Sequence, residues 1–420
     1  MSRAVTEHIQ ITTLPNGIRV VSEHVSYVQS VSVGLWVGVG SRDEEDPIRG
    51  ISHFIEHMLF KGTKKRTARQ IADEIESRGG TLNAFTGKEN TCYEARILAE
   101  DLPLALDILS DMFRESLFDS EEMEREKRVV IEEIKMYEDT PEENVHDLFE
   151  QTLWTTHPLG KPIIGSEETV SHLTREDIQA YLEAKYRPDR IVISAAGNLD
   201  HALLVEIVMQ QLGELKGSSP ERIADPPAPS RESRILSKRD IEQVHFCLGT
   251  AGYSKQEKER YSLSILNNVL GGNMSSRLFQ EVRERRGLAY TIGSYGRFYH
   301  DAGFFCIYGG TSPETFEQVL DLSRAELKKV RVQGLTDDEL TKAKTQVRGA
   351  LVLGLESMSA RMNRYGESLL SFDRVIPISE VLREYDAVSH QSIGQVAERV
   401  LDEDSMTLAA IGPSQNEDEK

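Results

Sequence analysis

The strongest constraint on the fold of this chain is an internal repeat whose period is about half its length. Thr174-x-x-x-Ile178 and Ile193-Ser194-Ala195-Ala196-Gly197 recur 215 residues later as Ser389-x-x-x-Ile393 and Leu408-Ala409-Ala410-Ile411-Gly412. Residues 31–41 have a counterpart at 244–254, 213 residues on. A period this long signals duplicated domains and not a solenoid. With 420 residues the chain is long for one core and natural for two of about 200. Between the copies, 217–230 is rich in Pro and Ser and reads as an extended linker. The expected layout is therefore one domain over 1–216, a linker over 217–232 and a homologous domain over 233–420.

Each copy alternates short strand-like and helical stretches. Residues 9–13 and 18–21 read as strands joined through Pro15-Asn16-Gly17, and 31–39 alternates as a third. Helical stretches follow at 67–77, 101–116, 120–138 and 174–186, with strands at 81–85, 91–98 and 190–197. The fold class expected is α+β: two homologous domains, each a mostly antiparallel sheet packed with helices on one face, together forming a clamshell.

The chemistry concentrates at Gly50-Ile51-Ser52-His53-Phe54-Ile55-Glu56-His57-Met58-Leu59. Ile51, Phe54, Ile55, Met58 and Leu59 fall on one helical stripe, so the helix packs on a core through them. His53, Glu56 and His57 project from the other side. The two imidazoles stand one turn apart and can reach one ion together, with Glu56 beside them to touch a water. The duplication serves as an internal control. At an offset of 211 the stretch lies over Ser264-Ile265-Leu266-Asn267-Asn268-Val269-Leu270, where apolar positions persist and both histidines and the glutamate are gone. The fold needs the stripe and does not need the triplet.

The spacing H-x-x-E-H is that of inverted zinc-peptidase sites. Catalytic zinc usually takes three protein ligands and leaves a fourth position for water. A carboxylate is the expected third, and 120–138 holds Glu121, Glu122, Glu124, Glu126, Glu132, Glu133 and Glu138. Glu126 and Glu133 share a face with Val130 and Ile134, since seven residues drift only about 20° around a helix. Carboxylates on an apolar stripe need a cation or donors. The others fit a solvated surface, and periodicity does not choose among them.

Composition narrows the partners. Forty-nine basic against 69 acidic residues give a formal net charge of -20. That argues against non-specific binding to nucleic acid or an anionic membrane. No stretch approaches 18 uninterrupted apolar residues, and 1–8 holds no apolar run of the secretory type. Cys92, Cys247 and Cys306 read as small buried side chains in a reducing compartment. Cytoplasm is the expected location.

Taken together these motifs resemble the pitrilysin family of zinc peptidases, in the branch of the mitochondrial processing peptidase subunits and their bacterial relatives. The resemblance runs from Thr13-Leu14-Pro15-Asn16-Gly17 to the end of the second copy. It implies one zinc per chain on His53, His57 and Glu133, the last glutamate of an E-x6-E pair. Glu126, the first of that pair, becomes a carboxylate that orients a site group, and Glu56 the general base. Gly79 to Thr86 matches the family's substrate-pairing edge strand, which carries over Asn83, Ala84 and Phe85. Residues 275–290 match its substrate-clamping segment, with Arg283 and Tyr290 as the residues that hold the peptide and the developing oxyanion. The implied activity is endopeptidase cleavage of extended peptides, and a homodimer is the economical assembly because both motif sets lie in one chain. A non-catalytic peptide-binding or scaffold subunit of the same fold is the alternative, though such relatives usually lose part of the metal site, and here all four residues remain.

Overall fold

The computed structural model of the chain describes residues 8–219, 225–238 and 241–413. Residues 1–7, and 220–224 of the expected linker, lie outside the described residues. Two sheets organise the chain. The first contains β1 (Ile9–Thr13), β2 (Arg19–His24), β3 (Ser30–Val37), β4 (Thr81–Thr86), β5 (Thr91–Leu98) and β6 (Ile191–Gly197), in the order β1-β2-β6-β3-β5-β4. The second contains β7 (Ser233–Lys238), β8 (Val244–Ala251), β9 (Ala289–Phe298), β10 (Gly303–Thr311) and β11 (Thr407–Pro413), in the order β7-β11-β8-β10-β9.

The duplication is visible strand by strand. β2 runs parallel to β6, and every later neighbour in the first sheet is antiparallel. β7 likewise runs parallel to β11, and every later neighbour in the second is antiparallel. Strand β1 is the addition. The repeated Thr174 and Ser389 prove to be helix N-caps: the side chain of each accepts the backbone N–H three residues on, and its own backbone N–H donates to the side chain of that residue. That reciprocal cap is local chemistry and survives divergence of the rest.

In the first sheet the alternation of β3 sorts its residues to two faces. Val31, Val33, Leu35 and Val37 join the core beneath α1 (Ile51–Leu59), α2 (Ala68–Glu76), α3 (Leu102–Glu115), α4 (Ser120–Glu138) and the helix His201–Leu212. Trp36 faces the other way, where Met358, Met362, Tyr365 and Leu369 of the helix Met358–Phe372 cover it. Gly366 permits that approach, because a Cβ there would lie 2.4 Å from the Trp36 indole nitrogen. Each sheet is thus covered on its second face as well as on the face expected from sequence. In the second sheet the cover is α5 (Pro141–Leu153), whose Val145, Leu148, Phe149 and Leu153 pack on Cys247, Phe304, Cys306, Ala409 and Ile411.

These two covering helices change sides in the chain. Met358–Phe372 comes from the second half of the sequence and covers the first sheet, whereas α5 comes from the first half and covers the second. The compact units are accordingly Met1–Lys135, Pro162–Arg222 and Val352–Ile378 on one hand, and Met136–Lys161, Ile223–Leu351 and Ser379–Lys420 on the other. They depart from the division into 1–216 and 233–420, because burying both faces of a sheet needs one helix from outside its own sequence half.

Candidate metal centre

Helix α1 starts where Gly50 turns the chain at φ 91°. A Cβ at Gly50 would meet the Ile164 carbonyl at 2.6 Å, so no other residue fits that turn. The buried Glu44 carboxylate then accepts the N–H groups of Gly50 at 2.8 Å and Ser52 at 2.9 Å, satisfying donors that the helix start leaves open. Burial still pushes the Glu44 carboxyl up to about 7, against the lowering by those two bonds. Ile51, Phe54, Ile55, Met58 and Leu59 are all buried in the core, as the stripe requires.

The opposite side of α1 meets α4. His53 Nε2 lies 3.9 Å from Glu133 Oε1, and His57 Nε2 lies 3.6 Å from Glu133 Oε2. Among the described residues these three form the one group whose ligand atoms all fall within 4.8 Å of one another. Both separations exceed a hydrogen bond. They approach the ~3.3 Å between two ligands of a tetrahedral ion bound at about 2.0–2.1 Å. The donor set of two imidazoles and a carboxylate is one that zinc accepts. The residues present therefore fit a zinc ion.

The electrostatics treat the two imidazoles differently: His53 is driven toward its neutral form and His57 toward its charged one. Burial, helped by the neighbouring His57, lowers His53 to about 4, so its ring is neutral and its lone pair free. Burial also works against a charged His57, but the bond to Glu126 and the Glu126, Glu133 and Glu56 charges outweigh it and raise its pKa. Glu126 is 4% exposed; burial would raise its pKa, yet the bonds from His57 and Lys61 pull it below the usual carboxylate value. Glu126 Oε1 lies 2.8 Å from His57 Nδ1. An ionised Glu126 makes Nδ1 the donor, which leaves the Nε2 lone pair turned toward Glu133. Glu126 thus orients His57. Glu132, one residue from Glu133, bonds Lys135 on the outer face.

Glu56 is held by a residue to which the sequence motifs assign no role. Thr86 Oγ1 donates to Glu56 Oε2 at 2.5 Å. Burial raises the Glu56 carboxyl, partly offset by that bond. Thr86 ends β4, and β4 is an edge strand. Leu82 and Ala84 share its core-facing side with Thr86, while Asn83 and Phe85 alternate to the other and are exposed. Phe85 meets Trp36 edge-on at 5.4 Å. The structure thus brings Thr86, and not Phe85, to Glu56. Lys61 is the second unassigned residue: its Nζ lies 2.5 Å from Glu126 Oε2. Its sequence signal is its position four residues after His57, on the same side of the turn.

Arg283 and Tyr290 belong to the other compact unit and are described within it. Arg283 lies in a π-helical turn, Phe279–Glu284, with its guanidinium 4.8 Å from the Phe279 ring centre and 5.0 Å from that of Tyr290. Tyr290, at the start of β9, is 76% exposed. Arg277, Arg285 and Arg286, which share the segment, pair instead with Glu339, Glu281 and Glu281. The counterpart of Glu56 is Asn267, whose side-chain oxygen accepts Ser294 Oγ at 2.7 Å. All three cysteines are buried and free, and no helix among the described residues is long and apolar enough to cross a membrane.

The chain is similar to known proteins along nearly its whole length. Residues 19–167 match the family model described as insulinase, peptidase family M16, and 172–347 match that described as peptidase M16 inactive domain. A Bacillus subtilis (strain 168) protein named "Uncharacterized zinc protease YmxG" is 42% identical over 404 residues, covering 96% of this chain and 98% of that protein. A Rickettsia felis protein named "Uncharacterized zinc protease" is 36% identical over 409 residues, with 97% and 98% covered. The fold matches a crystal structure of a protease from Helicobacter pylori with a TM-score of 0.90 at 22% identity, covering 97% of this chain and 100% of that one. The chain belongs to the peptidase M16 family, the family also called pitrilysin. The model described as inactive matches a span that includes 264–270, where the second copy lacks the histidines and glutamate of α1.

Proposed function

We propose that this chain is a zinc-dependent endopeptidase that cleaves extended peptides, with Glu56 as general base. The observation that carries this reading is the convergence of His53, His57 and Glu133 within 4.8 Å beside a glutamate on the same helix. Bound there, zinc supplies a Lewis acid for the scissile carbonyl and lowers the pKa of a water. His53, His57 and Glu133 would hold the ion, and Glu126 would keep the His57 ring turned to it. Glu56 takes the proton of the attacking water and returns it to the leaving amine.

The peptide enters by pairing with β4. What supports this is the open edge of that strand, whose backbone groups bind extended chains with little regard to sequence. Asn83, Ala84 and Phe85 are the residues it would line. Arg283 and Tyr290 are assigned to peptide binding, supported by the exposure of Tyr290 and the stacked guanidinium beside it. A cytoplasmic homodimer with one zinc per chain, in the processing-peptidase branch, completes the reading. Size-exclusion chromatography with light scattering tests the dimer.

The deciding experiment measures zinc content and hydrolysis of a mixed unstructured peptide library by wild type and Glu56→Gln. The expected result is about one zinc per chain in both, with turnover in the variant lower by a factor on the order of 10²–10⁴. Near-normal turnover by zinc-loaded Glu56→Gln would remove the base assignment. Zinc in both without cleavage in either would favour a peptide-binding subunit.

A further inference from the structure

Among the described residues, the ammonium bonded to the Glu126 carboxylate behind the site is that of Lys61, just beyond the end of α1. We propose that Lys61 is a positioning residue for zinc, acting through Glu126 to set the register of α4 against α1. The inference rests on the zinc-site reading above and is independent of which peptides are cleaved.

The geometry is a clamp with one carboxylate in its jaws. Glu126 Oε1 faces His57 Nδ1 at 2.8 Å, and Oε2 faces Lys61 Nζ at 2.5 Å. His57 lies in the last turn of α1 and Lys61 in the turn just beyond its end, so the two grip a single group on the other helix from adjacent positions. With each oxygen engaged, the plane of the carboxylate is fixed, and α4 is pinned to α1 at Glu126. Glu133 lies seven residues further along α4, two turns from the pin and on the same face. Its oxygens fall 3.6 and 3.9 Å from the two Nε2 atoms only if that register is held. Without Lys61, Oε2 of a carboxylate that is 4% exposed loses the partner that fixes its angle.

The competing expectation has the opposite sign. An ammonium near a dication repels it, so if Lys61 acted only as a charge, its removal would tighten zinc binding. A lysine that merely stabilises the fold would change melting and leave the affinity of the folded protein for zinc alone.

The test is the zinc dissociation constant of the full chain, by competition with a chromophoric chelator, for wild type, Lys61→Met, Lys61→Arg, Glu126→Gln and the double variant K61M/E126Q. The expected result is a dissociation constant about tenfold higher in Lys61→Met, in the range found when partners of metal ligands are removed. Lys61→Arg should recover most of it. In the Glu126→Gln background the same change should add little, because the two act as one unit. Cobalt(II) in place of zinc should show an altered visible spectrum in Lys61→Met, reporting displaced ligands. Equal or tighter zinc binding by Lys61→Met, or full additivity with Glu126→Gln, would overturn the proposal while leaving the zinc site standing. A wild type that binds no zinc would overturn both.

Discussion

Thr86 is a single hydroxyl that links the edge strand to the base. Its bond to Glu56 spans two elements, and a hydrogen bond to a charged group contributes about 1.5–3 kcal/mol. Thr86→Val keeps the shape and strand preference of the residue and removes only the hydroxyl. We expect kcat to fall about 10- to 100-fold, with KM and zinc content unchanged, and Thr86→Ser to recover most of the loss. Unaltered kcat in Thr86→Val would reduce the bond to a fastening of strand to helix, of the kind Ser294 makes with Asn267. His53, Glu56 and His57 were legible in the sequence because all three sit on one helix, where spacing alone determines which face they share. Thr86 and Lys61 were not, because each acts on a residue that distant segments bring alongside: 30 positions away for Glu56 and 65 for Glu126. Glu133 stood between; its face was readable, and its choice over its neighbours needed the contact with α1.

At the scale of elements, the helix Met358–Phe372 is fastened to a sheet from the far half of the chain by a polar clip. Arg361 Nη1 lies 2.6 Å from both oxygens of Glu23 on β2, and Tyr365 donates to Glu23 Oε2 at 2.5 Å. Ser194 Oγ donates to the Met362 carbonyl at 2.6 Å on the neighbouring strand β6. Glu23 is 2% exposed. Removing one partner of such a buried pair costs more than the pair contributes, because the other charge stays in place. Glu23→Ala should therefore lower the unfolding free energy by about 3–5 kcal/mol, read by urea denaturation of the zinc-loaded protein. A loss under about 1 kcal/mol would mean that water replaces the carboxylate at Arg361. The strands and first-domain helices were largely readable from alternation and the helical stripe. This clip was not, since Glu23 in a short strand and Arg361 in an amphipathic helix look like solvated charges until the helix is laid on the sheet.

For the molecule as a whole, the exchange of helices decides where it can be cut. The repeat in the sequence suggested a division at 217–232, and the two sheets do fall on either side of it. Yet fragment 1–216 would leave Val21, Trp36, Cys92, Val192 and Ala196 without the helix that buries them. Fragment 233–420 would likewise leave Phe304, Cys306 and Ile411 without α5. The periodicity could not reveal this, because a repeat marks descent and strand order and carries no signal of which sheet a helix covers. Each fragment expressed alone should aggregate, through an exposed apolar face that a folded domain does not tolerate. Co-expression of 1–232 with 233–420 should restore a soluble complex of both pieces, since every covering helix is then present. Circular dichroism and thermal melting of each fragment and of the complex check this. A soluble fragment 1–216 with a cooperative melt of its own would show that the sheet folds without its borrowed helix, and the exchange would then be a late docking step and not a condition of folding.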